Sequence, residues 1–131
     1  MELTLEDFEV FIKEEDIQKR VAELAEQIRA DFTDKDLVVV GVLKGSFIFM
    51  ADLVRHLPPE TTCDFLRVSS YDGVKSTGQV RFEFDLTQPI EGKDVLIVED
   101  IIDTGLTAHF LLKALSVRGA NSLSLVSLLD K

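Results

Sequence analysis

Residues 94–107 read DVLIVEDIIDTGLT, and the reading of this stretch decides the fold. Val95, Leu96, Ile97 and Val98 form an unbroken apolar run with no polar alternation. A run that short suits a strand buried on both faces. Two adjacent carboxylates, Glu99 and Asp100, are expected to end it. Ile101, Ile102 and a third acid, Asp103, come next, then Thr104, Gly105, Leu106 and Thr107. A helical pattern starts there, because Leu106, Phe110, Leu111, Ala114 and Leu115 recur at three- and four-residue steps. The order is strand, acidic end, small-residue turn, helix.

That order has a chemical consequence. A helix start leaves backbone N–H groups unpaired at a positive dipole end, which together suit a phosphate. Thr104 and Thr107 add hydroxyls, and Gly105 allows an anion close to the backbone. The carboxylates before the turn can accept hydrogen bonds from ribose hydroxyls. Together they imply a ribose 5-phosphate as ligand. An isolated D-T-G would be better explained as a helix cap beside solvated acids. The whole run E-D-I-I-D-T-G after a buried strand reverses that preference.

The run VLIVEDIIDTGLT resembles the phosphoribosyl-pyrophosphate (PRPP) motif of the type I phosphoribosyltransferases, most closely their hypoxanthine-guanine branch. The resemblance extends from about residue 10 to the end of the chain. It implies that Glu99 and Asp100 hold the ribose hydroxyls. It implies that Asp103 lies beside the purine N7 as proton acceptor, and that residues 103–107 (Asp103, Thr104, Gly105, Leu106 and Thr107) bind the 5′-phosphate. It implies Mg2+, met by Glu99 and Asp100 mainly through PRPP and water.

Composition sets the outer bounds. The chain has 131 residues, 46% hydrophobic and 29% charged, which suits one globular domain with a core of its own. Its formal net charge of −10 argues against a nucleic-acid partner, which needs a basic face. Metal ions and backbone dipoles can still make an anion site locally. The lone Cys63 excludes an internal disulfide and fits a reducing cytoplasm; its neighbours suggest a core strand and a structural role. The start, MELTLEDFE, lacks a signal pattern, and no apolar run reaches membrane-spanning length.

In chain order, Phe8, Val10 and Ile12 alternate in an irregular stretch or short strand. Residues 14–32 are expected to form a helix with Ile17, Val21, Leu24 and Ile28 as its apolar stripe. Leu37–Val42, LVVVGV, is a second continuous apolar run and a candidate central parallel strand. It leads into Leu43, Lys44, Gly45 and Ser46, then a helix over 47–56 that stops before Pro58. From spacing alone, an anion loop and a plain turn capped by Ser46 are equally good readings. The resemblance favours the first: L-K-G-S-F is similar to the family's pyrophosphate loop, with Leu43, Lys44 and Gly45 against the leaving group. It also implies a cis Leu43–Lys44 peptide bond.

Thr62–Ser70 reads as a strand, with Arg67 suited equally to a pyrophosphate or to a surface ion pair. Residues 71–78 carry glycines and hydroxyls without apolar period, as a loop does. Ser70 and Tyr71 resemble the start of the family's flap over PRPP. Residues 80–85 alternate as a strand with one wet face. Arg118 and Gly119 end the helix of the central motif. His56 and His109 read as ordinary helix residues. Residues 123–129 are a further strand.

Lys131 matches the family lysine that donates to the purine 6-oxo group. Family members continue past it into their base-binding part, which is missing here. The expectation is one α/β domain over residues 1–131, a parallel twisted sheet with helices on both faces. The implied activity moves 5-phosphoribosyl from PRPP to N9 of hypoxanthine or guanine, giving IMP or GMP and pyrophosphate. The alternatives are a non-catalytic PRPP-binding fragment, a phosphoribosyltransferase for another base, or an RNA-binding regulator on the same fold. The expected assembly is a homo-oligomer, dimer or tetramer. It is expected in the cytoplasm, without a membrane or nucleic-acid partner.

Overall fold

The computed structural model describes residues 13–70, 80–102 and 105–130. Its elements are α1 (Glu14–Asp31), β1 (Leu37–Val42), α2 (Phe47–Val54), β2 (Thr62–Ser70), β3 (Val80–Phe84), β4 (Asp94–Ile102), α3 (Leu106–Ser116) and β5 (Ser122–Asp130). The strands form one five-stranded sheet in the order β3-β2-β1-β4-β5. The β1–β2, β1–β4 and β4–β5 pairs are parallel. The expected parallel sheet is observed; at its edge β3 pairs antiparallel with β2 after a register shift between Arg67 and Val68.

Burial explains the centre. All six residues of β1 are buried, as its unbroken apolar sequence requires. The pleat sends Leu37 and Val39 to one face, with Leu96 and Val98 beside them; α1 and α2 cover that face through Val21, Leu24, Ile28, Phe49, Met50 and Leu53. Val38, Val40, Val95 and Ile97 point the other way, onto Leu111 and Leu115 of α3. Helices on both faces are therefore observed. Gly41 packs directly against Met50 of α2: an added Cβ would collide with Met50 Sδ and come within 3.1 Å of the Phe65 ring.

Two buried acids fasten strand ends. Asp94, at the start of β4, accepts hydrogen bonds from Asn121 Nδ2 at 2.9 Å and Ser122 Oγ at 2.6 Å. Those donors hold its carboxyl below the usual carboxylate range. Asp64 accepts from the backbone N–H groups of Thr87 and Gln88 at 3.0 and 3.2 Å and pins the segment after β3.

Three expectations need correction. Strand β4 does not stop at its acids but runs on to Ile102, because β5 keeps pairing with it at Glu99–Ser127 and Ile101–Leu129. Helix α2 ends at Val54, two residues early; its last turn closes through Leu57 N–H to Val54 O at 3.1 Å. Cys63 sits on β2 as expected but is exposed, not in the core. It pairs with Val39 on the α1–α2 face, but β3 reaches β2 only from Arg67 onward. The Phe8, Val10 and Ile12 alternation lies outside the described residues. No described helix is long and apolar enough to cross a membrane.

Candidate functional site

The sheet order creates a switch point. From β1 the chain steps outward to β2 and then β3, and it returns on the other side of β1 as β4 before stepping out to β5. In open α/β sheets such a point leaves a crevice at the carboxyl ends of the strands. The loop after β1, residues 43–46, and the end of β4 flank that crevice. They meet there: a Cβ built on Gly45 would lie 2.8 Å from Asp100 Oδ2 and 3.2 Å from its Cγ. The absence of a side chain at Gly45 lets the loop sit directly on the carboxylate. Asp100 Oδ1 also accepts from Ile101 N–H at 2.8 Å, which limits its freedom to move away.

Because β4 continues through its acids, alternation separates them. Asp100 shares the α1–α2 face with Val98, and Glu99 shares the α3 face with Ile97. Burial, and then the neighbouring charge of Asp100, push the Glu99 carboxyl up to about 7. Lys44 is exposed, and its carbonyl accepts from Phe47 N–H at 3.2 Å. Leu43 N–H donates to Leu66 O at 2.8 Å, tying this loop to β2, and the Leu43–Lys44 peptide is cis. Ser46 does not cap α2 with its side chain; its buried hydroxyl donates back to Val42 O at 2.5 Å.

Helix α3 begins at Gly105, whose φ of +81° lies in the left-handed region that glycine adopts freely. Gly105 has no side chain to cap this end, and among the described residues other than its chain neighbours nothing lies within 4 Å of the Gly105 Cβ position. Backbone N–H groups at a helix start of this kind suit an anion. Thr107 is half-buried and Leu106 exposed beside it.

The description "Phosphoribosyl transferase domain" matches residues 12–131. The chain belongs to the phosphoribosyltransferase family. A hypoxanthine-guanine phosphoribosyltransferase of Staphylococcus aureus strain N315 is 48% identical over 124 residues, covering 94% of this chain and 69% of that protein. The protein of that name in Dictyostelium discoideum is 50% identical over 128 residues, covering 94% and 71%. The crystal structure of a hypoxanthine phosphoribosyltransferase from Staphylococcus aureus aligns with a TM-score of 0.88 at 48% identity, over 94% of this chain and 67% of that one.

Among the candidate residues of this phosphoribosyltransferase, Leu43, Lys44, Gly45, Glu99 and Asp100 lie on the two segments that flank the crevice, and Gly105, Leu106 and Thr107 lie at the start of α3. Ser70 ends β2 and pairs with Val80. Tyr71, Asp103, Thr104 and Lys131 lie outside the described residues. Arg67 takes the ion-pair reading: its Nε lies 3.3 Å from Glu83 Oε2. His56 and His109 are exposed, and among the described residues no group of three or more His, Cys, Asp or Glu gathers for a metal. Ser127 was not singled out in the sequence. It lies opposite Glu99 on β5, with its hydroxyl 3.5 Å from Asp100 O. Its only signal is a polar residue interrupting the apolar run LSLVSLL. A cavity of about 540 Å3 opens at the other end of the sheet, between Ile28, Phe32, Leu37 and Leu57, away from these residues.

Proposed function

We propose that the chain transfers the 5-phosphoribosyl group of PRPP to N9 of hypoxanthine or guanine, forming IMP or GMP and releasing pyrophosphate. The observation that carries this reading is the seating of the Lys44-Gly45 loop on Asp100 at the switch point. The hypoxanthine-guanine names of its relatives supply the purine.

In this mechanism the α3 start, with Thr104 and Thr107, takes the 5′-phosphate. Asp100 and Glu99 accept hydrogen bonds from the ribose hydroxyls. Leu43, Lys44 and Gly45 face the pyrophosphate, where the Lys44 ammonium offsets charge that grows as the C1′–O bond breaks. The electron pair of that bond leaves with pyrophosphate. N9 of the purine forms the new bond to C1′, and Asp103 takes or shares the N7 proton. By the family resemblance, Ser70 and Tyr71 are assigned to PRPP and Lys131 to the purine 6-oxo group.

Mg2+ fits the donor set, with one limit. The pleat parts Glu99 from Asp100, so these side chains do not build a closed cage. One or two carboxylates plus ligand phosphates and water is the set that Mg2+ takes. When bound it neutralises pyrophosphate charge. We place the protein in the cytoplasm as a homo-oligomer, dimer or tetramer.

The test is calorimetry of PRPP with Mg2+ against this chain, paired with an assay for IMP or GMP. Binding heat, and thermal protection of about 2.7 kcal/mol at 100 times the dissociation constant, are expected. Neither heat nor protection would refute the site. Binding without nucleotide formation would favour a PRPP-binding, non-catalytic role.

A further inference from the structure

Helix α3 carries the proposed phosphate site at its start and meets the sheet core further along. Its contacts with the sheet core fall on Phe110, Leu111, Leu112 and Leu115, in the later turns. The first turn carries exposed Leu106 and His109. Strand β3 meets this helix through Phe82 and Phe110. It is an antiparallel edge strand that pairs with β2 only through Val80, Arg81, Phe82 and Phe84.

We propose that Arg118, Asp85 and Phe82 form a positioning clamp that fastens β3 along α3 and thereby sets the phosphate-binding start of that helix. Arg118 follows the helix end and bonds it through its N–H to Leu115 O at 3.1 Å. Its guanidinium makes a two-point bridge to the residue just after β3: Nη1 to Asp85 Oδ1 at 2.9 Å and Nη2 to Asp85 Oδ2 at 2.8 Å. The same guanidinium stands 5.3 Å over the Phe82 ring. Phe82 in turn meets Phe110 of α3, with ring centroids 5.3 Å apart at 51°. The contacts therefore form one continuous chain, from the far end of α3 through β3 and back to the helix one turn from its start. Most exposed ion pairs hold little, but a planar fork on a carboxylate, stacked on a ring, fixes orientation. Because β3 also pairs Val80 with Ser70, the clamp sets α3 relative to the carboxyl end of β2.

The inference rests on the PRPP reading of the α3 start, and the test separates the two. PRPP with Mg2+, ribose 5-phosphate and inorganic pyrophosphate are titrated calorimetrically into the unsubstituted chain, Arg118→Ala and Asp85→Asn. Circular dichroism checks that each variant is folded. The expected result is an affinity loss of about tenfold for ribose 5-phosphate and PRPP. Pyrophosphate, which the Lys44 loop receives, should change less than twofold. The reversed pair, Asp85→Arg with Arg118→Asp, should recover much of the loss, and Arg118→Lys only part of it. Equal losses for all three ligands, or none, would overturn the clamp while leaving the PRPP site standing. No PRPP binding by the unsubstituted chain would overturn both.

Discussion

Gly45→Ala tests the contact on which the site depends. The new Cβ would lie 2.8 Å from Asp100 Oδ2 and 3.2 Å from both Oδ1 and Cγ. Ordinary contact begins near 3.4 Å, so the carboxylate must retreat by several tenths of an ångström. Asp100 cannot turn freely, because Oδ1 accepts from Ile101 N–H at 2.8 Å. It must leave that hydrogen bond or a favoured rotamer, at a cost of about 0.5–1.5 kcal/mol. The stability loss should be small. The functional loss should be larger, because a displacement of about 1 Å at a reacting centre can cost roughly 10²-fold. We expect Gly45→Ala to lower PRPP affinity and turnover together by roughly 10- to 100-fold while the melting temperature falls by a few degrees. The double variant with Asp100→Ala removes the clash, so it should regain the melting temperature without regaining PRPP affinity. Unchanged affinity and melting temperature in Gly45→Ala would show that the loop does not rest on Asp100.

Asp103→Asn should lower turnover by about 10²–10⁴-fold, the usual worth of a general base, with PRPP affinity nearly kept; equal losses in both would make Asp103 a positioning group only. Glu99→Gln should change how stability depends on pH in the ligand-free chain. Folding raises the Glu99 pKa from 4.5 to about 7, so the native state holds the extra proton between those values. Stability from Glu99 is fully present below pH 4.5 and lost as pH rises through 7. The melting-temperature gain of Glu99→Gln over the unsubstituted chain should therefore be near zero at pH 4.5 and largest above pH 7; parallel profiles would refute the burial of Glu99.

Much of this was legible because it is local. The unbroken runs at 37–42 and 95–98 announce strands buried on both faces, and they occupy neighbouring central places in the sheet. The stripe of Val21, Leu24 and Ile28 gives α1 its buried face. What failed depends on neighbours that sequence spacing does not reveal. Glu99-Asp100 looks like a strand end because paired charges rarely sit inside a sheet. Strand β5 is equally long, and it carries β4 past them. Cys63 looks like core because its neighbours are strand formers, yet exposure there depends on where β3 begins to pair. The contact of Gly45 with Asp100 joins residues far apart in sequence and follows only from the strand order.

The same distinction resolves the net charge. A chain at −10 looks ill-suited to a ligand as anionic as PRPP. Many of its acids have other partners: Asp94 and Asp64 are buried in hydrogen bonds, and Asp85, Asp36, Asp52 and Glu83 are paired with Arg118, Lys93, Arg55 and Arg67. At the crevice, burial and then the charge of Asp100 raise the Glu99 carboxyl to about 7, so it is partly protonated there. Protonation removes one negative charge at the end of β4, the strand that the Lys44-Gly45 loop meets through Asp100. The field that an incoming phosphate meets is set over a few ångströms by these groups, since screening at physiological salt weakens exposed charges beyond about 8 Å. Total charge reports how the chain behaves in solution, and the neighbours of Asp100 report what it can bind.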